Sequence, residues 1–306
     1  MVTITEPAPA KINLALHVRS RRPDGYHEIE TLFAFLRDGD TVSVTEAKAA
    51  SFSVTGPFAA ALVGESGNLV LAARDAFAAA FGPLPPLAIT LDKHLPVASG
   101  IGGGSADAAA TLRALARLKG VDPAALSEIA LALGSDVPAC LLGKSAIGGG
   151  RGEQLEEIAG LTDTPVLLIN PGVAVSTGAV FRSWDGVDRG PLPRHPGLVP
   201  GSAEQKVPNP SDPPHGGCRD KPGTTNWVKV AAEGRNDLQT PALTLAPVIG
   251  GVLDLLNGQP GVTLARMSGS GATCFALFAD GASRSAAHTA IAAAHPGWWC
   301  LESALA

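Results

Sequence analysis

The sequence is poor in charged residues, in cysteine and in long apolar runs, and each shortage narrows the class of protein. Charged residues make up 17% of the 306 residues and hydrophobic residues 45%, which argues against a mostly disordered chain. The net charge is −5, whereas a general nucleic-acid-binding surface would be basic. No apolar run approaches the ~18–20 residues that a membrane-spanning helix needs.

The four cysteines, Cys140, Cys218, Cys274 and Cys300, are far apart and form no Cys-x-x-Cys pair. Their spacing indicates neither a zinc site nor a disulfide framework, so we expect reduced thiols and no protein-bound metal site. The first residues show no basic segment followed by an apolar one, so no secretory signal is predicted. We therefore expect a cytoplasmic protein without a membrane or nucleic-acid partner.

At about 150 residues per domain, the length predicts two domains or one large α/β unit. The alternating Ile12, Leu14, Leu16 and Val18 predict a strand over 10–18, with Lys11 and Asn13 on its opposite face. Further strands are predicted over 41–45, 51–54, 87–91, 166–170 and 274–278, with one more ending at 267. Helices are predicted over 68–81, 106–118, 123–133, 177–184, 247–256 and 284–294.

The stretch 191–227 differs from the rest of the chain. It contains nine of the 25 prolines and has no apolar periodicity. Such a segment cannot bury enough surface to offset the entropy lost on ordering. We interpret it as a surface insertion in the second half of the chain, and a partner-binding arm is the alternative.

The clearest chemical signal is a glycine-rich loop around 100–105, between a strand and a helix. Glycines allow the backbone to approach a ligand closely, and a helix N-terminus offers free N–H groups, which together suit phosphate. A plain tight turn is the alternative. A Walker A loop is excluded because no lysine follows the glycines, and the dinucleotide fingerprint fails because Ser105 stands where its last glycine is needed.

Three further signals are weaker. Lys11 lies in an apolar strand, where a lysine is costly unless it is paired, functional or at an edge that reaches solvent. Asp136 stands at a predicted helix start, where it is either an N-cap or a reactive carboxylate. The turn 268–271 alternates serine and glycine, and is either a simple turn or a second donor group. Phosphoryl transfer to an alcohol uses a carboxylate beside a cation, which Asp136 and Lys11 would supply.

Five motifs in one order carry a resemblance to a known family. They are Pro-Ala-Lys-Ile-Asn-Leu at 9–14, Arg-Pro-Asp-Gly-Tyr-His at 22–27, the loop 96–109, Gly-Ser-Asp-Val-Pro at 134–138 and Ser-Gly-Ser-Gly-Ala at 268–272. Together they resemble the GHMP kinase superfamily, and within it the branch that acts on a cytidylated methylerythritol. The resemblance covers nearly the whole chain except 191–227. It implies an α+β fold of two domains: a ribosomal protein S5 domain 2-like unit over 1–160 and a ferredoxin-like unit over 161–306.

The resemblance also implies a reaction and its catalytic residues. The reaction is ATP- and Mg²⁺-dependent phosphorylation of the 2-hydroxyl of 4-(cytidine 5'-diphospho)-2-C-methyl-D-erythritol, in the non-mevalonate isoprenoid pathway. Lys11 and Asp136 match the catalytic pair. The ATP phosphate loop matches Pro96, Val97, Ala98, Ser99, Gly100, Ile101, Gly102, Gly103, Gly104, Ser105 and Ala106.

The substrate-binding positions follow from the same resemblance. Tyr26, His27 and Phe181 match positions that hold the cytosine, while Asn13 and Thr177 match positions that contact the substrate. Many relatives have a second serine where this chain has Ala106, which leaves the Ser105 hydroxyl as the candidate that helps to hold Mg²⁺.

Three rival functions are weighed against this one. A GHMP kinase for mevalonate or homoserine is disfavoured by Tyr26 and His27. A non-catalytic metabolite sensor on the same fold is disfavoured because Lys11 and Asp136 are both present. An oxidoreductase is weaker still, because the dinucleotide fingerprint fails.

Overall fold

A computed structural model of the protein describes residues 2–64, 67–193 and 226–306, and contains two β-sheets. The first sheet is built on two long antiparallel strands, β1 (Thr3–Arg21) and β2 (His27–Glu46). The far half of β2 also pairs with β4 (Leu87–Asp92), on which β3 (Ser51–Thr55) lies in parallel. The near half of β2 pairs with β5 (Ala146–Gly149), followed by β6 (Gln154–Glu157).

Four helices pack against this sheet: α1 (Leu69–Phe81), α2 (Gly103–Lys119), α3 (Ser127–Leu133) and α4 (Val137–Leu142). Short 3-10 helices span Ala59–Leu62 and Pro123–Leu126. The first turns of α2 are rich in buried alanine, and small side chains allow the helix to lie close to the strands. Its phosphate-loop end is thereby fixed to β1 and β2.

The second sheet contains β7 (Pro165–Asn170), β8 (Val262–Met267), β9 (Cys274–Phe278) and β10 (Trp299–Ala304), all antiparallel, in the order β10-β7-β9-β8. Between β7 and β8 lie α5 (Thr177–Arg182), α6 (Trp227–Glu233), α7 (Gln239–Leu245) and α8 (Val248–Asn257); α9 (Gly281–Ala294) joins β9 to β10. This β-α-β-β-α-β succession is the ferredoxin-like arrangement. The predicted α+β fold is confirmed.

One hydrophobic cluster is shared between the two sheets. Ile12 and Leu14 of β1 belong to it together with Val166, Leu168 and Phe275 of the second sheet. The strands of the two sheets divide between Glu157 and Pro165. The division into domains at residue 160 stays a prediction, because the buried cluster includes side chains from both sides of it.

The structure extends several predicted elements. The strand predicted over 10–18 is the middle of β1, and the one predicted over 41–45 is only the end of β2. The helix predicted over 106–118 begins at Gly103, so three of the loop glycines and serines form its first turn. Strands β5, β6 and β10 were not predicted; β5 reads Ala-Ile-Gly-Gly, which carries no strand periodicity.

The predicted insertion 191–227 was wrong at both edges. Leu192 and Trp227 are buried in the shared cluster, and the Asn226 side chain caps α6 by accepting a hydrogen bond from the Lys229 amide at 3.1 Å. Isolated apolar residues beside a proline-rich stretch carry no periodicity, so the sequence pattern does not mark them as core. The remainder of the prediction, 194–225, lies outside the described residues.

Two further properties concern the described residues only. No helix in them is long and apolar enough to cross a membrane. Cys140, Cys274 and Cys300 are free thiols, and burial raises the pKa of Cys140 to about 12. Cys218 lies outside the described ranges.

Candidate active site

A cavity of about 460 Å³ lies where the two halves of the molecule meet. Predicted site residues from both halves line it: Lys11, Asn13, Pro96, Val97, Ala98, Ser99, Gly100, Gly102, Gly103, Gly104, Ser105, Asp136, Thr177 and Phe181. Ile101 and Ala106 are buried in the core, beneath the loop that they belong to. The structure thus brings together residues that are up to 170 positions apart in the chain.

Lys11 is a buried lysine with two side-chain oxygen partners. Only 3% of its surface is exposed, so the prediction's alternative of an edge lysine that reaches solvent is wrong. Its Nζ lies 2.9 Å from Asp136 Oδ2 and donates to Asn13 Oδ1 at 3.1 Å. The ammonium also lies 5.2 Å from the centre of the Phe33 ring. A buried charge needs such partners, and here they fix the ammonium at the cavity wall.

Asp136 occupies the N-cap position of α4 without capping it. Its side chain accepts no hydrogen bond from the helix backbone, which excludes the structural role that the sequence left open. The side chain is 37% exposed and lines the cavity. One carboxylate oxygen is held by Lys11, so the orientation of the group is set by an ion pair and not by the helix start.

The phosphate loop leads into an uncapped helix. Gly102 precedes α2 with a φ of +67°, and no side chain caps the first turn of the helix. A Cβ on Gly102 would lie 3.0 Å from Lys11 Cε, so a glycine is needed both for the backbone angle and for space. Arg117 and Lys119 lie in the last turn of α2, where they complement the helix dipole. Gly103, Gly104 and Ser105 line the cavity, so the first turn of α2, whose N–H groups no side chain caps, lies at its wall.

The serine-glycine turn at 268–271 packs directly on the phosphate loop. Ser268 Oγ donates to the Gly100 carbonyl at 2.9 Å and accepts from the Asn13 backbone amide at 3.1 Å. Ser270 Oγ lies 2.9 Å from Thr177 Oγ1, which places the turn beside α5. The turn thus joins β1, the phosphate loop and the second sheet, and is more than a simple turn.

A buried ion cluster beneath the loop was not predicted. Lys93 Nζ lies 2.6 Å from Asp40 Oδ2 and 2.6 Å from Asp107 Oδ2, and all three side chains are almost fully buried. Burial raises the pKa of Asp107 to about 7 despite the nearby ammonium. Asp107 Oδ1 has no hydrogen-bond partner among the described residues. The cluster has two carboxylates and one lysine, so a proton on Asp107 would bring its net charge to zero.

An aromatic group lies at the Phe181 side of the cavity. The rings of His27 and Phe181 are 4.9 Å apart, and Trp184 packs edge-on against His27 at 5.7 Å. Burial and the charge of Arg21 lower the pKa of His27, so the ring is neutral at pH 7. His27 Nε2 is buried and has no partner within the described ranges. Of the three residues predicted to hold the cytosine, only Phe181 lines the cavity; Tyr26 and His27 do not. Tyr26 is 51% exposed, and the Arg151 guanidinium covers its ring at 4.7 Å.

Comparison with known proteins agrees with this geometry. The family model described as GHMP kinases N terminal domain matches residues 68–144, and the model described as GHMP kinases C terminal matches residues 225–297. The chain is 51% identical to a 4-diphosphocytidyl-2-C-methyl-D-erythritol kinase of Rhizorhabdus wittichii, over 98% of this chain and 94% of the relative. The chain belongs to this family of GHMP kinases. A Sphingopyxis alaskensis protein of the same name is 45% identical over 99% of both chains.

Solved structures support the same family. A crystal structure of a 4-(cytidine 5'-diphospho)-2C-methyl-D-erythritol kinase superimposes with a TM-score of 0.69 at 31% identity, covering 99% of each chain. A homoserine kinase from Cytophaga hutchinsonii superimposes with a TM-score of 0.66, covering 99% of this kinase and 95% of that chain. At 17% identity the second comparison shows the shared fold alone.

Proposed function

We propose that this kinase transfers the γ-phosphoryl group of ATP to the 2-hydroxyl of 4-(cytidine 5'-diphospho)-2-C-methyl-D-erythritol. The observation that carries the proposal is the Lys11–Asp136 ion pair at the wall of a cavity that is also lined by the glycine-rich loop and by Phe181 of the aromatic group. We infer the identity of the substrate from the names of the curated relatives. We further propose a cytoplasmic location, where ATP is available, and a small-molecule substrate as the partner; the net charge of −5 does not favour a nucleic-acid partner.

In this mechanism Asp136 accepts the proton of the substrate hydroxyl as the oxygen attacks phosphorus. A carboxylate that lines the cavity and is held at one oxygen has its other oxygen free for this task. Lys11 holds Asp136 in place and stabilises negative charge on the transferred group. Asn13 keeps the Lys11 ammonium oriented, because its Oδ1 accepts from Lys11 while its amide donates to Thr31 Oγ1 at 2.8 Å.

The loop 96–106 would hold the nucleotide phosphates through backbone N–H groups at the uncapped start of α2. Mg²⁺ would neutralise phosphate charge when bound. The Ser105 hydroxyl lines the cavity and makes no side-chain hydrogen bond within the described residues, so it is free to contribute to holding the ion. The Asp136 carboxylate is paired with Lys11, and we assign it to accepting the hydroxyl proton and not to holding Mg²⁺.

The aromatic group would bind the cytosine. Phe181 would offer a flat face for stacking and Tyr26 the face that Arg151 does not cover, while the unpartnered Nε2 of His27 would offer a hydrogen bond to the edge of the base. A buried polar atom without a partner is uncommon in proteins, and a ligand would satisfy it. Thr177 lines the same cavity as Phe181 and Asp136, so its hydroxyl is available to the substrate.

The experiment is an ADP-release assay across a panel of alcohols, with and without a cytidine diphosphate group. We expect turnover of the cytidylated methylerythritol and none with free methylerythritol, mevalonate or homoserine. Release of ADP with mevalonate or homoserine, but not with the cytidylated compound, would show the substrate assignment to be wrong.

A further inference from the structure

The cations that line the cavity are unequally neutralised. Lys11 is paired with Asp136, and Lys93 is paired with both Asp40 and Asp107. Arg151 is the third cation of the lining. Its Nε lies 3.8 Å from Glu153 Oε1, which is too long for a hydrogen bond, and its guanidinium makes no hydrogen bond within the described residues. Its charge is thus the one left available to a ligand.

The backbone that carries Arg151 is held in place. Arg151 is in the turn between β5 and β6, where Gly150 and Gly152 have φ of +70° and +110°. The Gly150 carbonyl accepts from the Ile29 amide at 2.7 Å, which ties the turn to β2. Glu153 Oε2 accepts from the Arg151 amide at 2.6 Å. Glu153 therefore serves the backbone of the turn and leaves the guanidinium weakly paired.

The side chain is also held at its far end. The guanidinium carbon lies 4.7 Å from the centre of the Tyr26 ring, and the Arg151 side chain is 23% exposed. A guanidinium stacked on an aromatic face keeps its N–H groups in the plane of the fork, directed outward from its rim. This arrangement costs little further ordering when an anion with two acceptor oxygens binds.

Two polyanions have to enter the cavity in the proposed reaction. The backbone N–H groups of the phosphate loop serve one of them, the nucleotide. The other, the substrate, carries a diphosphate between its cytosine and its reacting hydroxyl. Arg151 lines the same cavity as Phe181 and Asp136, the residues assigned to these two ends of the substrate.

We propose that Arg151 binds the diphosphate of the cytidylated substrate through charge-assisted hydrogen bonds. This inference rests on the proposed function. Its contribution is to substrate affinity, because the diphosphate is remote from the bond that forms and from the bond that breaks. Planar, two-pronged recognition of phosphate oxygens is the contact that arginine makes and a lysine cannot reproduce in full.

The kinetic test is the variant Arg151→Met, in which the apolar stem over Tyr26 is kept and the charge is lost. Loss of charge-assisted hydrogen bonds of this kind should raise KM for the cytidylated substrate by roughly 10- to 100-fold. The values of kcat and of KM for ATP should change by less than about threefold. Arg151→Lys should recover part of the affinity. The matched control is Arg37→Met, which removes an exposed arginine that is paired with Asp163 and does not line the cavity.

The equilibrium test needs no turnover. Calorimetric titration with CDP and with cytidine should show that wild type prefers CDP and that Arg151→Met loses this preference by the same factor. Equal affinity of wild type for the two ligands, or a rise in KM for ATP instead of the substrate, would overturn the assignment. A wild type that neither binds cytidine compounds nor phosphorylates the substrate would overturn the proposed function and this assignment with it.

Discussion

Replacing Asp136 with asparagine removes one negative charge from the cavity and changes the surrounding structure little. The side chain does not cap α4, so the start of that helix does not depend on it. Lys11 keeps its bond to Asn13 Oδ1, and the amide oxygen of asparagine can still accept from the ammonium. The variant therefore separates the proton-accepting role of Asp136 from its role in the structure.

The expected loss is much larger in rate than in stability. A general base contributes about 10²–10⁴-fold, so kcat should fall by that factor while KM for both substrates changes little. Charge-assisted hydrogen bonds contribute about 1.5–3 kcal/mol, and the partial exposure of Asp136 reduces the cost of losing this one to about 1 kcal/mol.

The assay is coupled ADP release with the cytidylated substrate, together with a urea melt to check folding. Asp122→Asn is the matched control, since Asp122 is an exposed N-cap that accepts from the Ala124 amide at 2.9 Å, and asparagine caps equally well. The control should retain wild-type kcat. If Asp136→Asn turns over within about threefold of wild type, Asp136 is not the base.

Three further predictions concern other parts of the molecule. Lys11→Ala should also lower kcat, and combining it with Asp136→Asn in ADP-release assays should lower it by far less than the product of the two factors, because paired groups act as a unit; multiplicative losses would refute the pairing. Asp107 has a pKa of about 7 when folded against 3.8 as a reference, so the folded protein binds a proton that the unfolded chain has lost, and stability falls as pH rises between these values. Asp107→Asn should abolish this fall, so in urea melts the free energy of unfolding of the variant should rise relative to that of wild type between pH 5 and pH 8. If the difference in free energy of unfolding between variant and wild type is the same at both pH values, the prediction is wrong. Replacing 194–225 with a short Gly-Ser bridge, while keeping Leu192 and Trp227, should change stability by about 1 kcal/mol or less and leave substrate KM unchanged; loss of substrate affinity with an intact circular dichroism spectrum would make the segment part of the site.

The parts of the fold that the sequence predicts are those with strong local patterns. The middle of β1 alternates in hydrophobicity, and the helix after the phosphate loop starts from a run of glycines. The far half of β2 was predicted and the near half was not, although the two form one strand. The near half begins with His-Glu-Ile-Glu and continues into Leu-Phe-Ala-Phe-Leu, and a buried run without alternation is ambiguous between strand and helix.

The candidate site divides in the same way. Lys11 and Asp136 stand in recognisable motifs, and the structure brings their side chains to 2.9 Å. No local pattern predicts the ion cluster of Asp40, Lys93 and Asp107, because its three charges come from separate parts of the chain. Lys93 follows the predicted strand 87–91 and stands between Asp92 and His94, so its neighbours do not mark it as a buried residue. Arg151 was missed because its surroundings read as a glycine-rich turn, and only the pairing of β5 with β2 directs it toward the cavity.

The most direct measurement of the central claim is a competition. The protein is mixed with ATP, Mg²⁺ and equal amounts of the cytidylated methylerythritol, mevalonate and homoserine, and the phosphorylated products are resolved by ³¹P NMR. The account predicts a single product, a phosphomonoester at the 2-position of the cytidylated compound. A phosphorylated mevalonate or homoserine as the main product, or phosphorylation of the cytidylated compound at another hydroxyl, would contradict it.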